Sequence, residues 1–157
     1  RHYDVAEVGY KYNLMDLLSV IGINQLEKLN KNNKKRKNIW KIYNNNFKNL
    51  SFQIPINYSE KKIKLSYHLY NIFLNKKRDG ISRDDVILKL HEKKIGVGIH
   101  YKSIPEHSIY KKKFKWKLDD YPNAKKLGRE TISLPLTPSL KNSEVNRVVK
   151  AIKEIIG

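Results

Sequence analysis

GYKYNLMDLLSVIGINQLEKL, residues 9–29, joins a polar turn to an amphipathic helix. The turn holds Gly9, two tyrosines, Lys11 and Asn13. Asp16 follows near the helix start, where a carboxylate suits the unpaired N–H groups and the helix dipole. Leu17, Leu18, Val20, Ile21, Ile23, Leu26 and Leu29 then fill more than one narrow seam, which predicts that much of the first half is buried. Gly22 costs about 1 kcal/mol against alanine in mid-helix, a penalty that close approach of another helix would offset. The local reading is a polar loop presented at the start of an interface-forming helix.

Working outward, the basic run KLNKNNKKRKNIWK (28–41) reads as a solvated helix face with Ile39, Trp40 and Tyr43 turned inward. Asparagine is a poor interior helix residue, so a break or bend is expected over residues 30–33. Residues 1–8 read as an extended lead-in, and 49–64 as a connection with a short strand at most. SYHLYNIFL (66–74) reads as a strand with both faces largely apolar. KKRDG (76–80) is a charged turn. Ser82 as N-cap, Asp85 at the third helical position and an Ile81–Val86 staple mark the next helix. Gly96 and Gly98 turn the chain into a strand ending at His100 and Tyr101. LDDYPNAKKLGRE (118–130) starts a helix with Asp120 or Tyr121 near the cap and Pro122 in its first turn. A short strand follows at 132–136, with Pro135 placing it at an edge or ending it. A last helix from a Ser143 cap has an apolar face of Val145, Val148, Val149, Ile152, Ile155 and Ile156. The pattern predicts a two-layer α/β fold, a small mostly antiparallel sheet covered by helices.

A chain of 157 residues suffices for one domain with a core. It begins with Arg1, which reads as a piece of something longer. The absence of cysteine excludes disulfides and thiolate metal sites, and with no signal pattern fits a cytoplasmic protein. None of the five histidines forms a zinc-type pair, and no apolar run is long enough to cross a bilayer. A net charge of +18 draws anions, from nucleic acid to phosphorylated metabolites. The lysines are spread along the chain among Asn and Ile, and the aromatics occupy core positions, so a nucleic-acid-binding module is the lesser alternative. A dimerising remnant without catalysis is another.

GYKYNLMD, INQLEKL, GISRD, GIHY and SLPL, in this order and spacing, resemble the nucleotide-sugar aminotransferases, pyridoxal-phosphate (PLP) enzymes of fold type I. The KYN form resembles the branch forming UDP-4-amino-4-deoxy-L-arabinose. The resemblance covers nearly the whole chain. It implies a C-terminal small domain (51–157) preceded by a cofactor-loop and interface-helix region (1–50), with the large PLP-binding domain absent. It implies that Lys11 and Asn13 contact the phosphate of a neighbouring subunit's PLP, in a homodimer built through the N-terminal helix. His100 and Tyr101, with His107 further along the loop, would face a nucleotide-sugar, and an amino acid such as glutamate would be the donor. Histidine and tyrosine offer hydrogen bonds to diphosphate and sugar hydroxyls. Arg36 and Tyr43 also match and read as packing and a surface ion pair. No residue here is assigned to catalysis or to a metal, since the Schiff-base lysine belongs to the missing domain.

Overall fold

The structure, a computed structural model, describes residues 7–56 and 63–157. Most of the expected lead-in and the centre of the 49–64 connection lie outside the described residues. The chain divides into two units, Arg1–Asn32 and Asn33–Gly157.

The first helix, α1, runs Asp16–Phe47 without the expected break at residues 30–33. Three asparagines there weaken helix propensity by about 2 kcal/mol in sum, but packing further along the helix outweighs propensity. In the second unit, Asn33 Nδ2 donates to the Leu65 carbonyl at 3.1 Å, and Ile39, Trp40, Tyr43 and Phe47 share one buried face. In the first unit the burial expected of the helix is not found. Leu17, Leu18, Val20, Ile21, Ile23, Leu26 and Leu29 are all at least half exposed. Their apolar face is wide enough for a core, and nothing among the described residues covers it.

The second unit is built on two strands, β1 (Tyr70–Phe73) and β2 (Thr131–Leu134), paired antiparallel with Asn71 opposite Ser133 and Ile72 opposite Ile132. Single antiparallel bridges extend the sheet, Gln53 to Phe73 on one side and Gly98 to Ser133 on the other. The strand expected to end at His100 is thus reduced to one bridge, and the 66–74 strand to its last part. KKRDG is not a simple turn. It forms α2 (Lys76–Asp79), capped by Asn75 and closed by Gly80 at φ 72°, a left-handed conformation that glycine adopts freely.

Ser82 caps α3 (Arg83–Glu92) as expected, accepting from the Asp85 N–H at 3.2 Å. α4 (Ser108–Phe114) and α5 (Pro122–Glu130) follow, then α6 (Asn142–Ile156). The start of α6 corrects the Ser143 expectation. Lys141 is the cap residue, and the Glu144 carboxylate accepts from its backbone N–H at 2.7 Å. A carboxylate that reaches back in this way satisfies an orphan donor without needing serine at the cap.

One core cluster joins the end of α1, both strands, α3 and α6. Tyr43 and Tyr70 have ring centroids 4.9 Å apart, and Trp40 meets Tyr70 edge-on at the same distance. The two buried phenols keep partners: Tyr43 donates to the Pro135 carbonyl at 2.8 Å, and Tyr70 to Asn44 Oδ1 at 2.7 Å. Burial pushes both phenols above their ordinary range, with Tyr43 adding to the rise at Tyr70.

Candidate functional site

β2 and the loop leaving its Gly98 bridge position the candidate substrate residues. Gly98 and Ser133 exchange both backbone hydrogen bonds, at 3.1 and 2.8 Å. A Cβ on Gly98 would lie 2.6 Å from His100 Cε1, so only glycine lets the imidazole lie back across the strand. His100 Nδ1 then sits 2.7 Å from Ser133 Oγ, and that hydroxyl donates to Asn71 Oδ1 at 2.6 Å. The next residue, Tyr101, follows a cis peptide. Its ring meets His100 edge-on at 4.8 Å, and its side chain is 73% exposed. Together they present a half-buried, anchored imidazole beside an open phenol.

The rest of the loop is fastened to α5. A 3-10 turn, Ile104–Glu106, has Pro105 at its second position, and Ser103 Oγ donates to Glu106 Oε2 at 3.0 Å. Arg129 Nε reaches Glu106 Oε1 at 3.1 Å. Burial alone would raise the Glu106 carboxyl, but the hydrogen bonds from Arg129 and Ser103 hold it below the usual carboxylate range. Gly128 of α5 packs directly on the Ser103 backbone, and a Cβ there would lie 2.7 Å from Ser103 N.

His107 precedes α4, is exposed, and makes no side-chain hydrogen bond among the described residues. Beyond it, Tyr110, Phe114 and Trp116 form a stacked satellite cluster with centroids 5.2 to 6.0 Å apart. The structure therefore brings His100 and Tyr101 into contact and leaves His107 seven residues along the loop. Lys11 and Asn13 belong to the other unit, exposed in the stretch ahead of α1.

Asn71 and Ser133 are not among the site residues that the sequence singles out. A polar residue flanked by Tyr70 and Ile72, and another flanked by Ile132 and Leu134, is the signal that marks them.

Residues 1–153 match the DegT/DnrJ/EryC1/StrS aminotransferase family. The chain belongs to that family. It is 38% identical over 156 residues to the uncharacterized protein MJ1066 of Methanocaldococcus jannaschii, covering 99% of this chain and 40% of that one. It is 32% identical over 157 residues to the spore coat polysaccharide biosynthesis protein SpsC of Bacillus subtilis, with the same coverage. Among solved structures, the PLP form of the putative sugar aminotransferase Spr1654 from Streptococcus pneumoniae superposes with a TM-score of 0.85 at 27% identity. The match covers 98% of this chain and 38% of that one. The fold is thus that of a segment of the fold type I sugar aminotransferases. The chain spans about two fifths of the length of these relatives.

Spr1654 is also known in a PMP form, and the residues present here suit part of such a cofactor. Lys11 and Asn13 are both exposed, and an ammonium and an amide N–H₂ are donors of the kind that phosphate oxygens accept from. Among the described residues no cluster of His, Asp or Glu could hold a metal, and no helix is long and apolar enough to cross a membrane.

Proposed function

We propose that this chain serves as the C-terminal small domain and interface helix of a PLP-dependent enzyme. That enzyme moves an amino group from an amino acid such as glutamate to a keto sugar carried on a nucleoside diphosphate. The product would feed surface-polysaccharide, lipid A or related glycan synthesis. The observation that carries the reading is the family match over residues 1–153. The chemistry PLP supplies when bound is that of an electron sink.

This chain's residues bind and orient. Lys11 and Asn13 hold the cofactor phosphate, reaching it across a homodimer interface that the exposed apolar face of α1 builds. His100 and Tyr101 line the substrate side, the imidazole fixed by Ser133 and the phenol free to follow a sugar or base. His107 stands at the edge of that surface. In this reading residues 1–50 form the cofactor-loop and interface region and 51–157 the small domain, and the chain turns over substrate only together with a large domain. The Lys11-Tyr12-Asn13 form makes the UDP-4-amino-4-deoxy-L-arabinose branch the first substrate class to assay.

The test is PLP affinity in the complete protein carrying Lys11→Ala and Asn13→Ala. A charge-assisted hydrogen bond contributes about 1.5–3 kcal/mol, so PLP should bind at least about tenfold more weakly. Unchanged affinity and turnover would remove both residues from the cofactor site.

A further inference from the structure

The hydrogen-bond chain Asn71–Ser133–His100 decides which imidazole nitrogen carries a proton. A serine hydroxyl has one hydrogen, and an amide oxygen can only accept. Ser133 Oγ lies 2.6 Å from Asn71 Oδ1, so its hydrogen goes there. The 2.7 Å contact with His100 Nδ1 can then be a hydrogen bond only if Nδ1 itself is the donor. Ser133 is 4% exposed and paired through its backbone to both Asn71's strand and Gly98, so it has little freedom to turn away. The close approach of the ring to Gly98 and its edge contact with Tyr101 limit rotation of the imidazole.

We propose that Ser133 and Asn71 are positioning residues that hold neutral His100 as the Nδ1–H tautomer, leaving Nε2 a bare acceptor. The consequence for recognition rests on the reading of His100 as a substrate contact. A bare Nε2 accepts from a donor, such as a sugar hydroxyl, and cannot pair with the acceptor-only oxygens of a diphosphate. His100 would therefore read the sugar, with phosphate left to lysine and amide groups elsewhere.

Two-bond ¹⁵N–¹H correlation spectra of the histidine-labelled complete protein, recorded with the ring neutral and assigned to His100 by its loss in His100→Gln, read the tautomer directly. Wild type should show a pyrrole-like shift at Nδ1 and a pyridine-like shift at Nε2. Asn71→Ala removes the acceptor without touching the ring, freeing the serine hydrogen to turn to Nδ1, so the two shifts should exchange. Ser133→Ala should likewise lose the Nδ1–H form, while Asn71→Asp, which keeps an acceptor oxygen, should retain it. A wild-type ring protonated at Nε2, or an Asn71→Ala spectrum identical to wild type, would overturn the assignment. These spectra need no cofactor or substrate, so their failure is separate from a failure of the aminotransferase reading, which PLP affinity tests.

Discussion

Replacing Gly128 by alanine sets two physical effects of similar size against each other. Gly128 lies inside α5, where alanine improves helix propensity by about 0.8–1 kcal/mol. The new Cβ would stand 2.7 Å from Ser103 N, 3.1 Å from its Cβ and 3.4 Å from its Cα. The first contact is with backbone, which cannot swing aside as a side-chain tip would. Ser103 is held further by Glu106, itself tied to Arg129. Forcing a methyl into such a contact costs about 1–3 kcal/mol. The net expectation is a destabilisation of about 0–2 kcal/mol, with the loop carrying His100 and Tyr101 displaced. Equilibrium urea unfolding followed by circular dichroism gives the first quantity, and the His100 ring shifts report the second. A variant more stable than wild type by about 1 kcal/mol, with unmoved His100 resonances, would refute the close packing of α5 on the loop.

Tyr43→Phe should destabilise the second unit by about 1–2 kcal/mol, because the Pro135 carbonyl loses its 2.8 Å donor; denaturant melts measure this. The same variant tests a pH effect. Unfolded phenols ionise near pH ~10 while the buried ones stay neutral, so the folded state retains protons that the unfolded state releases. Stability should therefore fall as pH rises above about 10, and removing the Tyr43 phenol should flatten that fall by up to ~1.4 kcal/mol per pH unit. Under the proposal that the exposed face of α1 builds a homodimer, Leu18→Asp with Ile21→Asp should weaken self-association of the complete protein about tenfold or more by sedimentation. The unfolding midpoint of the second unit should not change, and dimers of normal strength would exclude that face from the interface.

Local signals in the sequence proved the most legible. Ser82 and Asp85 mark the start of α3 because a cap and its N–H donor are three residues apart. Ile39, Trp40 and Tyr43, and Val145, Val148, Val149 and Ile152, reveal their buried faces through helical spacing. Decisions that depend on distant partners were harder to read. The continuity of α1 through residues 30–33 depends on packing outside that run. The start of α6 turned on a glutamate side chain reaching back to Lys141, where a nearby serine drew the reading to residue 143. His100 and Tyr101 stood out by residue type, but the link from His100 through Ser133 to Asn71 joins positions 33 and 62 residues apart. Only strand register brings those together, and no local window contains it.

The brevity of the sheet bears on solubility. Two strands of four residues carry Tyr70, Ile72, Ile132 and Leu134, side chains that favour strand aggregation when left on a long open edge. Among the described residues each outer edge is occupied by a single bridge, from Gln53 or Gly98, and Pro135 follows β2 with a residue that has no N–H to offer. What is left of either edge is too short to template an incoming strand. A lengthened β2, with Pro135 replaced by valine, would give foreign chains a longer row of unpaired amides to dock on.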